Sequence, residues 1–312
     1  MRLVWAGFTA LVLAEIGYPL VDGVTRARLT VVTVLLGYAV SVLHAAASRG
    51  WRAVAALVLV VGGGGLAVEA LGVATGVPFG SYGYSSALGP QALGVPLVIP
   101  LAWTWMAWPA WLVAGRLVPG PARVPVAGLA RVPVAGLALA AWDLFLDPQM
   151  VAEGYWAWRD PRPALPGVSG IPISNYLGWL LAAVVLMALL ATVMAALATD
   201  RPPLATVMVA LATVPPPATT AVPETRRLAP DAPMYALYLW TYASGVLAHA
   251  VFLHLPASAV WGGLGMGFVA VPLAVLLSRR APRLGAFPRR APRYPPTRVA
   301  GRPPHEEGRI PG

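Results

Sequence analysis

An all-α, polytopic membrane bundle is the fold this sequence predicts, and three observations carry that expectation. The chain has 312 residues, of which 58% are hydrophobic and only 11% charged, where a soluble domain carries about 25% charged residues. Its mean hydropathy is +0.70. Its apolar residues fall in runs of about 20, the length a helix needs to cross ~30 Å of hydrocarbon. The short alternation of a membrane barrel strand is missing, so helices, which satisfy their own backbone polar groups, are the expected spanning element.

About eight spans follow, in order: Leu3–Val21, Leu29–Ala47, Ala53–Val73, Val95–Gly115, Val124–Ala141, Tyr176–Ala198, Met234–Leu253 and Ser258–Leu277. Seven is the other count that residues 120–140 and 200–232 leave open. The first is read as a span and not as a signal peptide, because Glu15 interrupts its apolar run and no small-residue cleavage site follows. The fifth contains a tandem duplication: R-V-P-V-A-G-L-A at Arg123–Ala130 recurs at Arg131–Ala138. A looser copy links Ala191–Thr199 with Ala205–Thr213, and Arg279–Arg283 recurs at Arg289–Arg293. They are too short and scattered for a repeat fold and read as replication slippage. Leu204–Asp231 is Pro/Thr-rich and reads as a loop. Residues 1–278 form the helical catalytic domain, and 279–312 a disordered Arg/Pro-rich tail.

Charge and cysteine usage exclude several classes. There is no cysteine, so disulfides, thiolate metal sites and cysteine nucleophiles are out. No lysine occurs, which removes Schiff-base and P-loop chemistry. The net charge of +10 owes much to the tail, and such a tail beside a span marks the cytoplasmic side or anionic lipid, not nucleic acid. With the tail inside, both termini are cytoplasmic. Arg49, Arg52, Arg116, Arg123, Arg201, Arg226 and Arg227 then share that side, against Arg26, Arg28, Arg159 and Arg162 opposite. A bacterial cell membrane is the expected location, with lipid as a partner.

One stretch, Ala141–Trp179, gathers acids among aromatics: Asp143, Asp147 and Glu153 beside Trp142, Phe145, Tyr155, Trp156 and Trp158. Acids at a membrane boundary are costly and require a reason. Asp143 and Asp147 are four apart, so on a helix they share a face, and Pro148 ends or bends that helix. The eight-span topology sends Glu15, Glu69, Asp143, Asp147, Asn175, His249 and His254 to one membrane face. Such convergence is the signature of a site. His44 falls at the other end and reads as structural.

Each choice has a plainer rival. The two aspartates could cap a helix end or sit solvated at the interface. Phe79, Tyr82 and Tyr84, on a Gly-rich loop, with Trp103, Trp105 and Trp108 after it, could be an interfacial aromatic belt. Glu15 reads as a bundle hydrogen-bond partner. Glu153 and Asp160 read as loop charges, available to Arg159 and Arg162. Asn175 caps the sixth helix or holds a water, the cap being favoured. His249 and His254, five apart, make a poor two-histidine metal site on one helix.

Several motifs together bring a known family into view. They are P-F-G-S-Y-G-Y, the L-G-x-x-x-L-G-V-P-L-V-I-P-L-A-W run to Trp103, W-D-L-F-L-D-P-Q-M-V with G-Y-W-A-W, and G-I-P-I-S-N-Y-L-G-W. Across residues 60–180 the chain resembles the membrane carotenoid hydratases, which act on bisanhydrobacterioruberin, lycopene or γ-carotene ends. The resemblance implies a cofactor-independent hydro-lyase that adds water across a terminal isoprene double bond. Its substrate would be an acyclic carotenoid end, with other carotenoid-pathway enzymes as further partners and no metal. That chemistry needs a carboxylic acid to protonate the alkene, and aromatic faces to steady the tertiary carbocation. Asp143, Asp147 and Glu69 fit the first requirement. Phe79, Tyr82, Tyr84, Trp103, Trp142, Trp156 and Asn175 are the expected substrate-binding residues. Two rivals are a prenyltransferase using D-x-x-x-D to hold magnesium and diphosphate, and a lipid or small-molecule transporter. A structural pigment binder would keep the aromatics without needing the acids.

Overall fold

A computed structural model describes residues 1–118, 125–199 and 225–279. It is a helical bundle. In chain order the described helices are α1 Arg2–Gly17, α2 Gly23–Arg49, α3 Trp51–Thr75, α4 Val98–Leu117, α5 Pro125–Ala140, α6 Asp143–Ala152, α7 Ile173–Thr199, α8 Thr225–Leu247 and α9 Pro256–Ser278. Among the described residues, seven helical segments are long and apolar enough to cross a membrane. The expected Met234–Leu253 span is a helix but is not one of them. Arg226, Arg227, Asp231 and several tyrosines and prolines make α8 more polar than its neighbours.

Two expected boundaries are corrected. The fifth span was placed at Val124–Ala141 with the acids beginning the following loop. The apolar helical segment instead runs Ala130–Ala152 and carries both aspartates within it. The stretch Leu204–Asp231 was read as loop, yet from Thr225 onward it is helical and begins α8. The rest of that stretch, and the tail 280–312, lie outside the described residues, as does Arg123.

The bundle is built around α4. Trp103, Met106, Trp108, Ala110, Val113 and Ala114 on it are wholly buried, at 0% exposure. Around it pack α2, α3, α5 and α8, while α1 lies on α2 and α9 on α8. The outer faces are apolar, with Leu3, Leu13, Leu59, Leu177 and Phe268 exposed, as lipid contact requires and water contact disfavours. Small residues let the helices close on the large rings. A Cβ on Gly65 would stand 2.8 Å from the Trp103 ring, so α3 and α4 meet only because that position has no side chain.

Polar contacts hold the two ends. Toward the end of α2, the buried His44 takes a hydrogen bond from Trp108 Nε1 at 2.9 Å and gives one to the Pro230 carbonyl at 2.7 Å. Arg49 pairs with Asp231 at 2.8 Å beside it. Here His44 is structural, as its position suggested. At the other end the Arg26 guanidinium pairs with Glu153. This corrects the expectation that Glu153 pairs with Arg159 or Arg162.

At that second end two loops meet. Gly76, with φ of +79°, ends α3 in the left-handed conformation that favours glycine. The chain then forms β1, Tyr82–Tyr84, a small hairpin of β2 Gln91–Ala92 with β3 Val95–Pro96, and later β4, Trp156–Trp158. Strands β1 and β4 are antiparallel, with Tyr82 opposite Trp158 and Tyr84 opposite Trp156. Both pairs therefore fall on the same side of the ladder, and the rings meet across it.

Candidate active site

The β1–β4 ladder lies over the ends of α3, α4, α6 and α7, and a pocket of about 20 Å³ forms beneath it, room for about one water. Glu69, Asp147 and Asn175 supply its polar groups. Phe79, Tyr82, Tyr84, Trp103, Trp156, Trp158 and Trp179 supply its aromatic walls. Trp103 and Trp179 stack with centroids 4.1 Å apart and planes 3° from parallel, and Tyr82 stacks on Trp158 at 5.5 Å. Tyr84 meets Trp156 edge-on at 5.4 Å.

Glu69 is 3% exposed and receives three donors. The Tyr82 hydroxyl reaches its Oε2 at 2.5 Å, the Tyr84 hydroxyl the same oxygen at 2.9 Å, and Trp103 Nε1 its Oε1 at 3.1 Å. Burial first, and then the neighbouring Glu69 carboxyl, push the phenols of Tyr82 and Tyr84 far above their ordinary value. Both keep their protons across the physiological range and stay donors. Gly65 lies one helical turn before Glu69, so the same face of α3 both seats the Trp103 ring and receives its N–H.

Asp143 and Asp147 lie one turn apart on α6, at 0% and 2% exposure. The Asn175 amide bridges them: its Nδ2 donates to Asp143 Oδ2 at 3.0 Å and also to Asp147 Oδ2. Trp156 Nε1 donates to Asp147 Oδ1 at 3.0 Å. Among the described residues Asp143 Oδ1 meets no N–H or hydroxyl donor, and the one Asn175 nitrogen that both carboxyls contact holds them close together. Asp147 lines the pocket and Asp143 stands behind it.

Most expected site residues therefore converge. Glu69, Asp147, Asn175, Phe79, Tyr82, Tyr84, Trp103 and Trp156 meet at one pocket, with Asp143 behind. Two readings change. Asn175 is no helix cap: it sits inside the first turn of α7, and its side chain turns inward to the acids because they are buried and short of donors. Trp142 does not reach the carboxyl pocket. It lines a larger cavity of about 150 Å³ and meets Trp105 edge-on at 5.4 Å. That cavity shares Ile99, Ala102, Leu146 and Trp156 with the small pocket, so the two are neighbours across one wall. Glu15, with Trp240 Nε1 donating to it at 2.5 Å, and His249 line the larger cavity.

Trp158 and Trp179 line the pocket but were not among the expected binding residues. A signal for each was present. Trp158 is two residues from Trp156 and so on the same face of a strand, and Trp179 is one helical turn beyond Asn175. Neither pattern means anything until the strand pairing and the helix start are known.

Residues 29–223 match the family described as carotenoid biosynthesis protein. The chain belongs to that family. The match takes in Glu69, both aspartates, Asn175 and the pocket's aromatics. Among curated proteins, a bisanhydrobacterioruberin hydratase from Haloarcula japonica is 34% identical over 115 residues, which is 36% of this chain and 36% of that protein. The similar region thus spans about a third of that relative's length. No solved structure matches this carotenoid biosynthesis family member.

Proposed function

We propose that this protein is a carotenoid hydratase, adding water across a terminal trisubstituted double bond of an acyclic carotenoid end. The observation that carries the reading is a pair of buried carboxyls bridged by one asparagine amide, one of them at the wall of a pocket otherwise lined largely by aromatic rings. Membership of the carotenoid biosynthesis family and similarity to the Haloarcula hydratase support it.

The chemistry fits each part. The alkene π pair takes the acidic proton of Asp147 at the less substituted carbon, which leaves a tertiary cation. Asp143 and Asn175 hold Asp147 in place and share the charge left on it. The faces of Trp103, Trp156, Trp158 and Trp179, with the tyrosines, steady the cation by about 0.5–2 kcal/mol each. Glu69 adds a carboxyl opposite the aspartates. A water then bonds to the cation and loses a proton, giving a tertiary alcohol. Only protons move, so the reaction has no electron for a redox cofactor to carry. The larger neighbouring cavity gives the isoprenoid end its room. The magnesium–diphosphate alternative loses ground, because the Asn175 N–H groups point at the very oxygens a divalent ion would use.

Expression in a strain that accumulates lycopene, followed by chromatography and mass of the pigments, tests the reading. A pigment heavier by one water supports it. An added prenyl unit, or unchanged pigment in cells that contain inserted protein, overturns it. Asp147→Asn is expected to lower the yield of water adduct by about 10²–10⁴-fold, the usual contribution of a general acid. Asp143→Asn should lower it too, with both variants still inserted at wild-type levels.

A further inference from the structure

The larger cavity carries polar groups that proton donation does not use, and one of them is built as a base. His249 is 1% exposed and lines that cavity. It sits in a π-helical turn, Ala248–Phe252, that continues α8, an irregularity frequent at functional sites. Its Nδ1 lies 2.8 Å from Ser258 Oγ, and its Nε2 lies 3.3 Å from Gln149 Oε1.

The tautomer follows from the helix of the acids. Pro148 lies inside α6 and has no N–H, so the Leu144 carbonyl four residues earlier loses its helical donor. Ser258 replaces it, its hydroxyl donating to Leu144 O at 2.8 Å. A serine has one hydroxyl proton. With that proton spent on the carbonyl, the 2.8 Å contact to His249 requires Nδ1–H to donate to Oγ. A neutral imidazole then has its lone pair on Nε2. The atom facing that lone pair is Gln149 Oε1, an acceptor, so a half-turn of the amide, which exchanges its O and N ends, is needed to bring an N–H to Nε2. One hydroxyl thus positions both the acid helix and the imidazole, where the two adjoining cavities share Leu146 and Trp156.

We propose that His249 is the base that takes the proton from the attacking water, a role that rests on the hydratase reading. The alkene receives its proton from Asp147, and the water oxygen bonds to the tertiary carbon. The resulting oxonium gives a proton to His249 Nε2. The imidazolium proton returns to the Asp147 carboxylate through water, so one alkene and one water yield one alcohol, with acid and base restored.

Protonation and capture can be read separately in D2O. A cation that is not captured loses the original hydrogen of the carbon that took the deuteron and returns to alkene, leaving deuterium in the recovered substrate. Membranes containing wild type, His249→Asn, His249→Gln and Asp147→Asn are supplied with lycopene, and both water adduct and deuterium in unreacted lycopene are measured by mass. The expected result for both histidine variants is at least about a 100-fold loss of adduct with deuterium uptake retained. Asp147→Asn should lose both. Added imidazole should restore part of the adduct to His249→Ala, a gain that a purely structural histidine would not give. The inference is overturned if either histidine variant hydrates at the wild-type rate. Loss of deuterium uptake together with adduct in both inserted variants overturns it as well. A wild type that forms no adduct fails the hydratase reading instead, so the two failures are distinct.

Discussion

Asn175 does more at this site than any residue with a longer reach. Two buried carboxyls four residues apart repel each other unless a proton or a donor stands between them, and its amide donates to both. Asn175→Leu keeps the volume and removes the donors, and it is expected to cut hydration by about 100-fold or more while the protein still inserts. The check is water adduct per inserted protein. Tyr82 and Tyr84 act on Glu69 in the same way. Because burial and Glu69 hold their phenols protonated, the hydroxyls serve as donors and not as acids of the reaction. Tyr82→Phe and Tyr84→Phe should therefore lower turnover severalfold without abolishing it, and the double variant should fall further than either. Wild-type turnover by the double variant would leave Glu69 a packing residue. Sequence alone could place Asp143 and Asp147 on one face. That they turn to an asparagine from another helix, 28 residues past Asp147, is a fact of tertiary contact.

The site exists because particular elements end where they do. α3 delivers Glu69 and seats Trp103 on the same face, which is possible only with glycine at position 65. Gly65→Val drives a branched side chain into the indole. It should destabilise the fold by about 1–3 kcal/mol and also lower turnover, measurable as thermal loss of the solubilised protein alongside adduct yield. The ladder β1–β4 aligns Tyr82 with Trp158 and Tyr84 with Trp156. Neither strand has an apolar–polar alternation long enough to announce itself, so two tripeptides read as loop until they pair. α6 was the least legible element. The duplicated stretch before it puts Arg131 and Pro133 inside the fifth span, and Pro148 reads as the end or a bend of the helix that carries the acids. Ser258 supplies the donor that Pro148 removes, so the helix continues to Ala152. Ser258→Ala leaves the Leu144 carbonyl without that donor and is expected to cost about 1–3 kcal/mol, seen as a lower midpoint of thermal unfolding.

For the molecule as a whole, the open question is how many times the chain crosses. Seven described segments have the length and apolarity to do so. α8 is more polar, yet its contacts run the depth of the bundle: Pro230 and Asp231 beside His44 and Arg49, Tyr238 to the Ala138 carbonyl, and Trp240 to Glu15. From Asp231 to His249 a helix rises about 27 Å at 1.5 Å per residue, close to the hydrocarbon thickness. Asp231, Tyr235, Tyr238 and Trp240 face partners inside the bundle, which is how a polar helix crosses without exposing polar groups to lipid. We therefore expect reporters fused after Arg162 and after Arg279 to report opposite sides of the membrane. The same side would reduce the crossings to seven and place α8 elsewhere.

Composition and periodicity by themselves determined that this chain is a helical membrane bundle, because runs of apolar residues longer than a soluble core tolerates have one stable solution in lipid. Local spacing likewise determined that the acids lie close together, since four residues is one turn. Which groups those acids meet was decided only by tertiary structure. The pocket joins side chains from α3, α4, α6, α7 and two short strands, from Glu69 to Trp179, and no local pattern records such distant partners. The pairing of Glu153 with Arg26, the inward turn of Asn175 and the tautomer of His249 all follow from the cost of leaving a buried polar group unpaired. That cost is settled by whatever neighbour the packed bundle supplies.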